Sequence, residues 1–414
     1  MAFYQQIYDG KIVTEVQNMI IHANRIYMED GCKAGYLEIE DRIIKNFYDE
    51  NSDIKANIDY GNMRIIPGIF DSHNHGGFGY SVSKHCTKND LKALLKAQAS
   101  LGVVNYMPTT SGLDNIALIA EEVDLDQDGS RVLGVHSEGP WGSRVGEKGI
   151  NTGYPKPDMN EAIKMYVAGK GKLKLVDIAP EVDGALDIIK YFVSKGVNVG
   201  IFHTNANYEE ANKGIDAGAS VATHLGNVMT GLHHRDVGTL GACLLRDEVD
   251  CEMICDGLHI SLPMIQIYLR CKNHDQLMMV SDNVMYANLP VGRYKGMSSD
   301  SDRAFINITE DGFVLSDTGR LSGSSKPVIY GIKNLVEKLH VPMEECCKFF
   351  CYNPIRKYSN PNKKGSLKPG KDCDMVVIDD DYNVIATYSE GRIIYDCNKK
   401  QDYIKPGIIE ELKV

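Results

Sequence analysis

Eight apolar, strand-like runs recur through the middle of the chain, separated for the most part by stretches whose apolar residues fall at helical spacing. The runs cover residues 64–70, 103–107, 132–135, 174–178, 197–202, 220–222, 251–254 and 277–280, and the helical stretches include 89–101, 186–195, 208–217 and 262–271. Strand runs alternating with amphipathic helical stretches predict parallel strands joined by crossover helices. Eight such units over ~300 residues match the count and length of a (β/α)8 barrel. A doubly wound open sheet is the other architecture built on this alternation.

The two ends of the chain read differently. Short apolar runs at 19–22, 25–28, 35–39 and 42–47, and again at 374–378, 384–388 and 392–395, are broken by Asn, Gly and Asp turn signals. Strands at both ends around a different middle predict one small β domain built from both termini. The expected division is residues 1–65 and 365–414 for that domain and 66–364 for the barrel.

Composition narrows the function classes. The 414 residues are 43% hydrophobic and 24% charged, which excludes a disordered or fibrous chain. The formal net charge is −11, with no basic block, so a nucleic-acid partner is not expected. An anionic small molecule is still compatible, because one placed Arg outweighs a diffuse negative field at short range. No apolar run reaches the ~20 residues of a membrane span, and the polar stretch from Met1 to Gly10 carries no signal-peptide pattern. The 11 Cys include no C-x-x-C pair, and are expected to be reduced thiols in a cytoplasmic protein.

Polar residues with chemistry follow the strand runs. They include Asp71-Ser-His73-Asn-His75 after the first run, His136-Ser-Glu138 after the third and His203 after the fifth. His224-Leu-Gly-Asn227 follows the sixth, Asp256-Gly-Leu-His259 the seventh and Asp282 the eighth. In a barrel all these ends open on one mouth, where active sites are built. Imidazoles and carboxylates at that density predict a divalent metal, zinc before Fe2+ or Mn2+. His73 and His75 stand two apart, so both side chains reach the mouth from one strand end. His22, His85, His274 and His340 lie outside these segments and are read as ordinary hydrogen-bonded residues. His136 is read as a support to the metal ligands or as structural.

The ordered set P-G-x-x-D-x-H-x-H-G, H-x-E-G-P-W, H-[ST]-N-A, A-T-H-L-x-N-x-M, H-R, D-G-x-H, S-D and L-S-G-S-S resembles the amidohydrolase superfamily. Within it, the set is similar to the N-acetylglucosamine-6-phosphate deacetylase family. The resemblance runs on to Gly365-Ser-Leu-Lys-Pro-Gly-Lys-Asp-Cys-Asp-Met-Val-Val, which is like the segment that closes the β-sandwich of that superfamily. It implies a (β/α)8 barrel with a small β-sandwich, and a main metal site of Glu138, His203 and His224. His73 and His75 would serve a second or alternative site, giving one or two metals. Asp282 matches the catalytic aspartate and His259, with Asp256, a substrate-site pair. Asn227, Val228 and Arg235 match positions that hold the sugar phosphate, and Leu321, Ser322 and Gly323 match a loop closing over it. The expected reaction is hydrolysis of the N-acetyl amide of an amino-sugar phosphate, in a cytoplasmic homodimer whose Arg235 reaches the neighbouring subunit's substrate. No membrane partner is expected.

Three positions depart from the family pattern. Lys148-Gly149-Ile150-Asn151 stands where K-G-[AT]-H is usual, so the His is absent; Gly226 replaces an aromatic residue, and Val228 replaces an Ala. These departures motivate the alternative of a related amidohydrolase acting on another N-acyl amino sugar or its phosphate. A catalytically silent binding protein on the same scaffold is a third reading, and the intact metal set with Asp282 argues against it.

Overall fold

The computed structural model describes residues 18–83, 86–144, 153–296 and 303–414. Eight barrel strands run parallel in chain order: β1 (Ile69–Asn74), β2 (Val103–Thr110), β3 (Val135–Trp141), β4 (Leu173–Ile178), β5 (Asn198–Ile201), β6 (Val221–Ala222), β7 (Asp250–Ile254) and β8 (Leu277–Val280). The seam between β8 and β1 is held where Asp282 N donates to His73 O (2.8 Å) and His75 N donates to Asn283 O (2.7 Å). The buried Asp71 carboxylate takes the Ser281 hydroxyl across the same seam at 2.6 Å. The architecture is a nearly closed parallel barrel ringed by helices, as the alternation predicts.

The crossover helices start where their sequences supply caps. Helix Lys88–Ala99 begins at a capping box between Thr87 and Asp90, and it buries Leu91, Leu94 and Leu95 against the barrel wall. Helix Tyr208–Asp216 begins at a second capping box, between Asn207 and Glu210. Inside the barrel, Phe70, Met107, Leu133, Leu175, Val221 and Met278 pack with Ile355 and Tyr358 of the helix Asn353–Tyr358 into a separate apolar cluster. That plug leaves the opposite, C-terminal strand ends for polar side chains.

Strands from both ends of the chain share one eight-stranded sheet. Its order is Arg392–Asp396, Val384–Ser389, Met375–Ile378, Arg64–Pro67, Asn18–Met28, Gly31–Glu40 and Ile43–Asp49, with Ile58–Asp59 beside Asn18–Met28. It has its own core, which includes Ile21, Ile26, Leu37, Ile65, Met375 and Tyr388. The runs read as two strands at 19–22 and 25–28 are one strand, because a register shift between Ala23 and Ile26 absorbs the turn signal. The run read as one strand at 64–70 is two. Arg64–Pro67 pairs in the terminal sheet, and Ile69–Asn74 enters the barrel. Gly68 sits at the break, where an added Cβ would meet the Val104 side chain at 2.7 Å and Asp374 Cβ at 3.2 Å. Sheet and barrel meet there closely enough to require glycine.

A buried ionic cluster ties the two parts together. Lys364 Nζ lies 2.9 Å from both Asp372 and Asp374, and Asn105 of β2 donates to Asp374 at 3.1 Å. A three-stranded antiparallel sheet, Gly292–Lys295, Phe305–Ile308 and Val314–Ser316, follows β8 and was not foreseen in the sequence. Among the described residues, no helix is long and apolar enough to cross a membrane.

Candidate metal centre

Six of the sequence-predicted side chains converge at the C-terminal strand ends. Glu138 stands at the middle of the group. Its Oε1 lies 3.1 Å from Nε2 of His224, 3.6 Å from Nε2 of His203 and 3.8 Å from Nε2 of His73. Its Oε2 lies 3.2 Å from Nε2 of His75. Asp282 Oδ1 faces His75 Nε2 at 3.4 Å and His73 Nε2 at 3.5 Å. Two ligand groups result, Glu138 with His203 and His224, and His73 with His75 and Asp282. Within each, one donor atom per residue lies within 4.8 Å of the others.

The backbone turns these side chains into the mouth. His203, His224 and Asp282 have φ of 38°, 34° and 51°, in the left-handed region that non-glycine residues rarely occupy. Each follows the end of its strand directly or within two residues. From these turns His203 and His224 reach Glu138, and Asp282 reaches His73 and His75. Strain of this kind persists where the surrounding structure over-determines it. Here the main chain of Asp282 is pinned on both sides, by His73 O and by Ser324 N (3.0 Å).

Charge in the cluster is strongly partitioned. Burial works against ionisation of Glu138, but the facing imidazoles of His75, His224 and His203 hold it well below the usual carboxylate range. Burial likewise opposes the charge on Asp282, and His73 and His75 outweigh it, holding the carboxyl down to about 2. His75 is pulled down by burial and pushed up more strongly by Glu138 and Asp282, to about 9. His203 goes the other way, lowered to about 4 because burial dominates. A neutral His203 keeps a lone pair for a metal, and its Nδ1 bonds the Tyr154 hydroxyl at 2.6 Å.

These residues fit a divalent cation. Nε2 of His73 and Nε2 of His75 face each other at 3.3 Å, and four imidazoles surround one carboxylate. Imidazole nitrogens and carboxylate oxygens at this density are the donor set that zinc, iron and manganese take. His136 offers no free nitrogen to this set. Its Nε2 donates to Asp177 at 2.7 Å and its Nδ1 takes the Thr109 hydroxyl at 3.0 Å, so both nitrogens are committed.

The remaining predicted residues surround this centre. Asp256 and His259 form a nearly buried pair, Nδ1 to Oδ2 at 2.6 Å, with Asp256 Oδ1 also taking the backbone N–H groups of Leu258 and His259. Asn227 follows His224, its N–H donating to His224 O at 2.9 Å. Val228 has φ 51° and accepts from Thr204 N at 3.1 Å, so this position is fixed by its backbone. Leu321, Ser322 and Gly323 lead into Ser324, which bridges to Asn283 beside Asp282. Arg235 is not brought into the cluster. It sits on the exposed stretch 231–236, and no ion pair to its guanidinium occurs among the described residues. Ile150 and Asn151 lie outside the described residues.

Two residues of the centre were missed in the sequence. Tyr154 lies 49 positions from His203, and Glu252 lies within strand β7, where its carboxylate bonds His73 Nδ1 at 2.9 Å. A charged residue between Cys251 and Met253 was the available signal for Glu252.

The Amidohydrolase family model matches residues 64–394 of the chain. The chain is 30% identical over 366 residues to an N-acetylglucosamine-6-phosphate deacetylase of Vibrio furnissii, covering 84% of this chain and 90% of that protein. It is 28% identical over 384 residues to an N-acetylgalactosamine-6-phosphate deacetylase of Escherichia coli O157:H7, covering 90% of this chain and 98% of the relative. Among solved structures, it is similar to a mutant N-acetyl-D-glucosamine-6-phosphate deacetylase of Mycobacterium smegmatis in complex with N-acetyl-D-glucosamine-6-phosphate. The TM-score is 0.82 at 25% identity, over 92% of this chain and all of that one.

Proposed function

The chain belongs to the amidohydrolase family, and from that premise we propose that it is a metal-dependent N-acetylglucosamine-6-phosphate deacetylase of amino-sugar catabolism. It hydrolyses the N-acetyl amide to glucosamine 6-phosphate and acetate. The observation that carries this reading is the convergence of Glu138, His203 and His224 beside Asp282 at the mouth of the barrel.

Glu138, His203 and His224 would hold the main metal, zinc before Fe2+ or Mn2+, and His73 with His75 a second. A divalent metal bound there supplies Lewis-acid polarisation of the amide carbonyl and a more acidic water. Asp282 is ionised and faces the same space, so it takes a proton from the attacking water and returns it to the departing amine. His259, with Nδ1 given to Asp256, has Nε2 left to orient the amide or a sugar hydroxyl. The turn of Asn227 and Val228 and the loop of Leu321, Ser322 and Gly323 would enclose the sugar phosphate together with Ile150 and Asn151. Arg235 would bind the phosphate of the neighbouring subunit's substrate by charge-assisted bonds, which makes the working unit a homodimer. Residues 1–65 and 365–414 would form the β-sandwich domain around a barrel of residues 66–364, and the enzyme would act in the cytoplasm.

The relationship to the N-acetylgalactosamine-6-phosphate deacetylase favours a second reading, in which the preferred sugar is another N-acyl hexosamine phosphate. A deacetylation assay on N-acetylhexosamines with and without the 6-phosphate, alongside metal analysis, tests both. Turnover confined to the gluco-configured phosphate supports the first reading. Preference for another epimer supports the second, and no turnover of any member by the metal-loaded enzyme overturns both.

A further inference from the structure

We propose that Glu252 is the positioning residue that makes His73 a metal ligand. The inference rests on the metal-centre reading above and adds a residue that the motif pattern does not contain. Glu252 lies on β7 with its side chain fully buried, beneath the mouth rather than in it. Its Oε2 is 2.9 Å from Nδ1 of His73. A carboxylate only accepts, so the shared proton sits on Nδ1. That leaves the lone pair of His73 on Nε2, the atom that faces His75 at 3.3 Å and Asp282 at 3.5 Å. The same Oε2 takes the backbone N–H of His224 at 3.3 Å. One buried carboxylate therefore sets the tautomer of a ligand on β1 and braces the turn that carries a ligand after β6.

A competing reading makes His73, His136 and Glu252 a separate metal site, since their donor atoms also lie within 4.8 Å of one another. The hydrogen bonds oppose it. Both nitrogens of His136 are committed, to Asp177 and Thr109, and Nδ1 of His73 is committed to Glu252. This group has no free imidazole lone pair to offer within itself. It is the floor on which the mouth-facing nitrogen of His73 is oriented. Outer carboxylates of this kind fix ring orientation and raise ligand basicity, and losing one costs roughly 10–100-fold in metal affinity.

The test is a chelator-competition titration of the full-length protein with Zn2+ alone, reading stoichiometry and apparent Kd, with a thermal melt of each variant in the metal-free form. Glu252→Gln should bind Zn2+ roughly 10–100-fold more weakly. In a His73→Asn background the same change should have little further effect, because the ring it orients is gone and the substituted amide oxygen still accepts the His224 N–H. If Glu252→Gln does not fold, Glu252→Asp keeps the charge but withdraws it from Nδ1, and the same loss is expected. Unchanged affinity in a folded Glu252 variant overturns the proposal, as does an equal loss with and without His73. A wild-type protein that takes up no metal sinks the metal-centre reading itself. Metal lost on His203→Asn but retained on Glu252→Gln sinks the role of Glu252 alone.

Discussion

The hydroxyl of Tyr154 lies 2.6 Å from Nδ1 of His203, on the far side of the ring from the Nε2 that faces Glu138. This bond fixes the His203 ring, and it reaches the ring from the segment that follows Ile150 and Asn151 in the chain. Tyr154→Phe keeps the aromatic contact with Phe202 and removes the bond. Metal binding should weaken roughly 10–100-fold, read by chelator competition, with the fold intact by circular dichroism. Unaltered affinity would remove Tyr154 from the centre.

Gly226 explains itself through Tyr268. Its φ is 82°, and an added Cβ would lie 2.1 Å from the Tyr268 hydroxyl. The missing bulk at this position therefore points at the helix Leu262–Cys271 and not into the mouth. Gly226→Ala should destabilise the protein by about 1–2 kcal/mol from the left-handed backbone alone, and more from the clash. Combined with Tyr268→Phe, which deletes the clashing atom, the loss should be smaller than the sum of the two single changes. Strict additivity in urea melts would show that the two do not meet.

The convergent part of the centre was legible because each of its six side chains follows or ends an apolar run, so a barrel topology alone brings them together. Glu252 was not, because inside the run 251–254 a lone carboxylate reads as an interruption of an apolar strand. Tyr154 was not, because its partner comes from a different crossover. The break at Gly68 was hidden for a related reason. Pro67, Gly68 and Ile69 continue an apolar pattern, and only the terminal sheet reveals that the chain changes partners there. The sheet 292–316 has strands of four, four and three residues, too short to show a period.

His22 was read as an ordinary hydrogen-bonded residue, and it pairs with Asp59 at 2.6 Å and Glu50 at 2.8 Å. Burial lowers its pKa, and the bonds to the two carboxylates outweigh this and raise it. A raised folded-state pKa stabilises the fold fully below the unfolded value of ~6.5, and the gain fades as pH rises through the folded value. His22→Asn should therefore lower Tm more at acidic than at alkaline pH. An equal Tm loss at both would mean that the charge on His22 contributes nothing to stability.

Arg235 occupies an exposed stretch with Leu232, His233 and His234, and its guanidinium has no carboxylate partner among the described residues. A charged hydrogen bond to a phosphate is worth about 1.5–3 kcal/mol, so Arg235→Ala should cost roughly 10–100-fold in kcat/KM on a 6-phosphorylated substrate. An unphosphorylated analogue should be little affected. Equal losses on both would mean that Arg235 does not read phosphate. A selective loss in a protein that stays monomeric at assay concentration would keep the phosphate contact and discard the cross-subunit one.

Asp282 is held by its main chain, through His73 O and Ser324 N, while its carboxylate faces His73 and His75. Asp282→Asn leaves both main-chain bonds in place, so the strand end and the mouth should keep their shape. The amide is nearly the same size and cannot accept a proton from water. Turnover should fall roughly 10²–10⁴-fold, measured under saturating metal and substrate. Metal content is read on the same samples, because Asp282 also stands within ligand distance of His73 and His75. Turnover lost while metal is retained assigns Asp282 to the proton. Turnover lost in step with metal assigns it to the second ligand group instead, and a fall of less than about tenfold excludes it as the base.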